Sequence, residues 1–103
     1  MTVLKSGATL KSTACTTELM VIRAPAGIDV DLRCGGAPMV SIRDTAQAVP
    51  LDPAFAGTSQ IGKRYNDANE QFELLCTKGG EGSLTLNGTP LTIKVAKALP
   101  SSD

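Results

Sequence analysis

A ten-residue stretch occurs twice in this chain, and no other feature constrains the fold as strongly. Residues 31–40 read Asp-Leu-Arg-Cys-Gly-Gly-Ala-Pro-Met-Val and residues 83–92 read Ser-Leu-Thr-Leu-Asn-Gly-Thr-Pro-Leu-Thr. Leu32 matches Leu84, Gly36 matches Gly88, Pro38 matches Pro90 and Met39 matches Leu91. Upstream the match continues at a spacing of 55, with Gly7 against Gly62, Leu10 against Tyr65, and Glu18-Leu19-Met20 against Glu73-Leu74-Leu75. The spacing falls to 52 downstream because the loop at 24–31 is three residues longer than the one at 79–83. A length change belongs in a loop, which supports the alignment. A duplicated chain of 103 residues makes one domain, or two very small lobes that share a core. The copies differ in one respect that bears on chemistry: Cys34 faces Leu86.

Local signals agree on short strands. Ten glycines and six prolines favour turns over long helices. Residues 9–11 and 18–23 (Glu-Leu-Met-Val-Ile-Arg) read as strands, the second stopped by Pro25 and Gly27. Residues 30–33 and 39–43 read as further strands around a tight turn at Cys34-Gly35-Gly36, and residues 84–86 and 91–95 as a hairpin about Asn87-Gly88. Leu19, Met20, Val21, Ile22, Leu74 and Leu75 are the expected core, since only Phe55, Tyr65 and Phe72 are aromatic. The expected organisation is a first repeat at 1–43, a linker at 44–61, a second repeat at 62–96 and a flexible tail at 97–103. Within the linker, Asp52 and Pro53 have the chemistry of an N-cap and first helical position, and Val49, Leu51 and Phe55 are expected to pin it down.

Several functions are disfavoured by composition. Ten acidic residues balance ten basic ones with no run of like charge, so no nucleic-acid or anionic-membrane partner is expected. No stretch approaches the roughly 20 apolar residues of a membrane span, and the first fifteen residues carry Lys5 and Lys11 rather than an apolar leader. Three cysteines, an odd number, fit a reducing compartment, and a cytoplasmic location is expected. Histidine is absent, which removes the commonest base and metal ligand. A nucleophilic cysteine would have only Arg33 beside Cys34 to hold its thiolate. The expectation is therefore a protein that is not an enzyme. Gly35-Gly36 and the run 79–82 lack the Gly-Lys-Ser/Thr ending of a phosphate loop and read as turns.

Taken together, Gly62-Lys63-Arg64-Tyr65, the run 73–84 (Glu-Leu-Leu-Cys-Thr-Lys-Gly-Gly-Glu-Gly-Ser-Leu), Gly88-Thr89-Pro90-Leu91, and Cys34-Gly35-Gly36-Ala37-Pro38-Met39 resemble desulforedoxin and the N-terminal domain of desulfoferrodoxins. The resemblance implies an all-β chain of two tandem desulforedoxin-like lobes, related to rubredoxins and zinc ribbons, sharing a core. It also implies, in its parent family, one iron held by four cysteines from a Cys-x-x-Cys knuckle and a Cys-Cys-Gly knuckle. Carried over, those ligand positions fall on Ser12, Cys15, Cys34 and Gly35 in the first repeat, and on Asp67, Glu70, Leu86 and Asn87 in the second. Two sulfurs remain in one copy and none in the other. Cys76 aligns with the strand residue Val21 and is not a ligand position.

Cys15 and Cys34 are thus remnant ligand positions and the redox candidates, with sulfurs expected about 3.7 Å apart if the ancestral tetrahedral geometry survives. Three readings stay open: a reduced buried pair, a disulfide formed on oxidation, or half of a metal site. Asp67 and Glu70 are expected to be solvated, or paired with Lys63 or Arg64, in preference to an oxygen site for magnesium or calcium. The leading expectation is a small non-catalytic accessory subunit, without cofactor, that docks on a larger enzyme or self-associates, through partner-binding residues the sequence does not name. The alternatives are an iron or zinc protein for electron transfer or metal delivery at Cys15 and Cys34, and a thiol redox switch through a Cys15–Cys34 disulfide.

Overall fold

The computed structural model describes residues 2–94, and the strand expected to reach residue 95 and the tail expected at 97–103 run outside them. The chain is all-β, with one turn of 3-10 helix at Pro53–Phe55. Twelve short strands follow in order: β1 Thr2–Val3, β2 Thr9–Lys11, β3 Glu18–Arg23, β4 Asp29–Val30, β5 Leu32–Cys34, β6 Ala37–Pro38, β7 Val40–Ser41, β8 Arg64–Asn66, β9 Glu73–Lys78, β10 Leu84–Leu86, β11 Thr89–Pro90 and β12 Thr92–Ile93. Among the described residues no helix is long and apolar enough to cross a membrane.

Two antiparallel sheets carry the fold, and each is its own mirror in strand order. The larger runs β12-β8-β9-β3-β2-β7 and the smaller runs β11-β10-β5-β6. Three strands of the first half and three of the second meet at β3 and β9, and two from each half meet at β5 and β10. Register makes the relation explicit. Met20 stands opposite Leu75, its own counterpart in the repeat, and Arg33 stands opposite its counterpart Thr85. A pseudo-two-fold therefore passes through the middle of both sheets.

The turns repeat as well. Gly7 donates to the Val21 carbonyl at 2.7 Å, and Gly62 donates to the Cys76 carbonyl at 2.8 Å. The two-residue hairpin turns Gly35-Gly36 and Asn87-Gly88 have positive φ at both positions, the conformation that matches the twist of the flanking strands. Pro38 and Pro90 lie on β6 and β11, the outer strands of the smaller sheet. A proline has no N–H to offer a further strand, so both edges of that sheet are blunted.

Along β3 burial follows a period of two. Leu19, Val21, Leu74 and Cys76 point inward and are almost fully buried, facing Leu32, Cys34, Leu84 and Leu86 of the smaller sheet within one hydrophobic cluster. Met20 and Leu75 are only half-buried and Ile22 is exposed, so these three leave the expected core. A strand covered by a second sheet on only one face buries alternate side chains there. The expected strand at 30–33 is broken at Asp31, because Val30 pairs with Thr2 while Leu32 pairs with Leu86. The strand expected at 39–43 is confined to Val40–Ser41. The β1–β4 pair, which uses the longer loop of the first repeat, has a reduced counterpart in the second, the isolated antiparallel bridge between Ser59 and Gly80.

Residues 44–61 cross the surface as a strap. Val49 donates to the Thr13 carbonyl, Asp52 to that of Gly35, and Ser83 to that of Phe55. Asp52 caps the 3-10 turn by accepting from the Ala54 N–H at 3.0 Å, with Pro53 at its first position. Leu51 and Phe55 are half-buried, whereas the Val49 side chain is exposed and holds the strap by its backbone alone.

Candidate functional site

Cys15 lies in the loop between β2 and β3, and Cys34 ends β5 in the other sheet. Packing the sheets face to face brings the sulfurs to 3.6 Å, close to the separation expected from a retained tetrahedral edge. Cys34 is fully buried, Cys15 is half-buried, and neither is in a disulfide. Cys76, the third thiol, is buried in β9 and donates to the Lys78 carbonyl at 3.3 Å.

The Cys15 sulfur is ringed by hydrogen-bonding groups. Ser12 Oγ lies 3.4 Å away, Thr17 Oγ1 3.2 Å and the Gly82 N–H donates at 3.4 Å. Ser12 Oγ also accepts from the N–H groups of Ala14 and Cys15, each at 3.1 Å. The neutral thiol donates to the two hydroxyl oxygens, and a hydroxyl can turn its own proton to the sulfur once the thiol ionises. Thr17 Oγ1 is in turn hydrogen-bonded to the buried Ser59 hydroxyl, contributed by the strap. Burial raises the Cys15 thiol, but the hydroxyls of Ser12 and Thr17 and the N–H groups of Thr17 and Gly82 more than offset it, lowering the value from 9.0 to about 7. Cys34 goes the other way. Burial pushes it to about 11 despite hydrogen bonds from Thr17 and Ser12, and the neighbouring Cys15 charge adds to the rise. The pair is thus a half-buried thiol that ionises more readily than a free cysteine, beside a buried one that resists ionisation.

The second repeat closes the site over the first. Gly80 and Gly82 have ordinary backbone φ, so their lack of a side chain has a different cause. A Cβ on Gly80 would lie 2.9 Å from Cys15 Sγ, and one on Gly82 2.9 Å from Cys34 Sγ and 2.7 Å from the Gly35 nitrogen. The loop is tied down by Thr16 Oγ1 donating to the Gly79 carbonyl at 2.7 Å and by the Gly35 N–H donating to Ser83 at 3.0 Å. The last bond has a two-fold mate, Asn87 N–H to Asp31 at 2.9 Å. Each repeat therefore packs a loop against the other's knuckle.

The equivalent place in the second repeat is filled with apolar groups. Phe72 stands where Thr17 does, Leu86 where Cys34 does, and both are buried. Asp67 spends its Oδ1 on the Phe72 N–H at 3.0 Å, and Glu70 is exposed, its N–H donating to the Asp67 carbonyl at 3.0 Å and its carbonyl accepting from Arg23 at 2.7 Å. The two carboxylates are not drawn into a common site, and the pairing expected with Lys63 or Arg64 does not form among the ion pairs of the described residues. Arg64 instead pairs with Glu73. Sequence reasoning had no hold on Thr17, Ser59, Gly80 and Gly82. The one available signal was the replacement of Thr17 by Phe72 between otherwise similar strand entries.

An iron or structural zinc centre of four soft ligands does not fit the donors present. Among the described residues no group of three or more Cys, Asp or Glu side chains converges on a metal position, and a closed tetrahedral site needs four ligands. No family model, no curated protein and no solved structure matches this chain.

Proposed function

We propose that the protein is a non-catalytic thiol–disulfide switch, working in the cytoplasm, in which Cys15 reacts first and Cys34 closes the bridge. The observation that carries this reading is the 3.6 Å separation of a hydrogen-bonded, half-buried sulfur and a buried one. An S–S bond is about 2.05 Å long, so the sulfurs must approach by about 1.6 Å, a movement within reach of the surface loop at 12–17. The thiolate of Cys15 attacks a disulfide of a small molecule or partner protein, forming a mixed disulfide and releasing one thiolate. Cys34 then gives its proton to solvent and attacks Cys15 Sγ, releasing the second thiolate.

A second reading concerns what the switch acts on. The register symmetry supports a duplicated unit, and we read that unit, as part of this proposal, as desulforedoxin-like with its metal ligands lost. The larger sheet ends in β7 and β12, two strands without prolines. Among the described residues these are the outer strands of the sheet, and edges of this kind can add strands from other chains, which supports an accessory subunit docking on a larger enzyme or on a second copy. The switch is tested by denaturing mass spectrometry of the chain equilibrated in glutathione buffers. Oxidation is expected to remove about 2 Da, the two thiol protons, with the linkage mapped to Cys15 and Cys34 and lost in Cys34→Ser. Retention of three free thiols under oxidising buffer overturns the reading.

A further inference from the structure

The geometry points to a binding site for a single soft monovalent d10 cation, copper(I) in the first instance, held between Cys15 Sγ and Cys34 Sγ as a two-coordinate bis-thiolate. The inference uses the thiols of the proposed switch but does not depend on their forming a disulfide. Its starting point is the number of donors the site can offer, which is two. The oxygens nearest Cys15 are not free to join them. Ser12 Oγ accepts two backbone N–H groups and Thr17 Oγ1 is engaged with Ser59. Against a thiolate, the form that binds a cation, each hydroxyl can only donate its proton, which turns its lone pairs away from a cation beside the sulfur.

Coordination number then selects the ion. Zinc and ferrous iron in thiolate sites need four ligands and would be left half-coordinated here, whereas copper(I) is selected by soft sulfur ligands. Charge points the same way. Two thiolates around a monovalent ion leave a single negative charge, and Ser12, Thr17 and the Gly82 N–H are placed to donate to one of the sulfurs once it is ionised. Hydrogen bonds to a ligating sulfur hold its orientation and tune the metal it carries. On loading, Cys15 and Cys34 each enter as thiolate, any proton they carry passes to solvent, and no electron moves.

Distance is compatible with loading after a small opening. With metal–sulfur bonds of about 2.3 Å, a linear S–metal–S unit spans about 4.6 Å. The sulfurs at 3.6 Å must separate by about 1 Å, a shift the surface loop that carries Cys15 can supply. Gly80 and Gly82 matter here because any side chain on them would press into the sulfurs. Bound copper and the disulfide are mutually exclusive states of the same pair.

The test is anaerobic titration of reduced, desalted protein with copper(I) supplied as its bathocuproine disulfonate complex, read by loss of the chelator's colour and by native mass spectrometry. One copper per chain is expected, with zinc(II) failing to compete at equal concentration. Cys15→Ser should weaken binding by at least about a hundredfold, since one soft ligand of two is gone, and Cys76→Ser should leave it unchanged. Cys15 is half-buried, so its variant is the one expected to keep its fold, checked by far-ultraviolet circular dichroism. No copper uptake by the native chain overturns the inference, as does uptake that survives Cys15→Ser, requires Cys76 or is matched by zinc. Metal-free protein that forms the Cys15–Cys34 disulfide but takes no copper removes this inference and leaves the switch standing. Copper uptake without disulfide formation does the reverse.

Discussion

Replacing Gly82 by alanine should damage both the fold and the thiol pair, because one added carbon meets backbone on one side and sulfur on the other. The new Cβ would stand 2.7 Å from the Gly35 nitrogen and 2.9 Å from both Gly35 Cα and Cys34 Sγ. Neither backbone atom is free to yield, since the Gly35 N–H is bonded to the Ser83 carbonyl and its carbonyl accepts from Asp52. Overpacking of a well-filled site costs about 1–3 kcal/mol, and contact with fixed backbone puts Gly82→Ala at the upper end. For a domain of this size about 3 kcal/mol lowers Tm by about 12–20 °C. Because the Gly82 N–H moves with the loop, Cys15 also loses one of its donors, and its alkylation midpoint should rise above 7. Gly88→Ala is the matched control. It has open space around the added carbon but φ of +83°, so it should cost about 1–2 kcal/mol of backbone strain and leave the thiols alone. Thermal unfolding and pH-dependent alkylation of the two variants provide the comparison. A Gly82→Ala protein that melts within about 3 °C of the native chain, a small fraction of the shift expected for this cost, and forms its disulfide at the native rate would refute the close approach of the loop.

Three further outcomes are expected. Alkylation of reduced protein by iodoacetamide should label Cys15 with a midpoint near pH 7, its rate falling below that value and levelling above it, while Cys34 stays unlabelled; peptide mapping across pH 5–10 reads both. Glu73 is buried, with Lys94 at 2.8 Å and Arg64 at 3.4 Å, and Lys94 chiefly holds its carboxyl below the ordinary value of 4.5. A lowered carboxyl stabilises the fold above its unfolded value and loses that contribution as pH falls through the folded one, so the Tm deficit of Glu73→Gln should be present at pH 7 and close on acidification. Leu19→Ala and Leu74→Ala remove two-fold counterparts that are both fully buried; each should cost about 2–5 kcal/mol and, in urea unfolding, the two should nearly agree.

Much of the architecture was legible because it is written twice. The Gly7 and Gly62 matches, the Asn-Gly turn and the change of spacing at a loop identified the repeat and its turns, and the register of β3 on β9 follows from that alignment once a two-fold is assumed. The separation of Cys15 and Cys34 was legible on another ground, the ligand positions that the resemblance to desulforedoxin implies. What stayed hidden depends on contacts between the halves. The β1–β4 pair is made of two-residue strands too short to leave a periodic signal. Ile22 read as core because an apolar strand looks the same from sequence whether one face or two are covered. Thr17 and Ser59 are 42 positions apart and meet only when the strap crosses the knuckle.

The asymmetry between copies has a physical rationale in this arrangement. A single repeat could not close its own thiol pair, because the loop that donates the Gly82 N–H and presents glycine to both sulfurs comes from the other copy. Fusing two copies in one chain makes that closure intramolecular, and the two places then no longer need the same contents. The second place is apolar, with Phe72 and Leu86 filling where Thr17 and Cys34 stand, and its burial stabilises the shared core by about 1.5–3 kcal/mol for each such side chain. Small domains without metal or disulfide need such burial. The first place could then keep a buried thiol and one that ionises near neutral pH, groups that contribute little to packing and everything to the chemistry proposed for the chain.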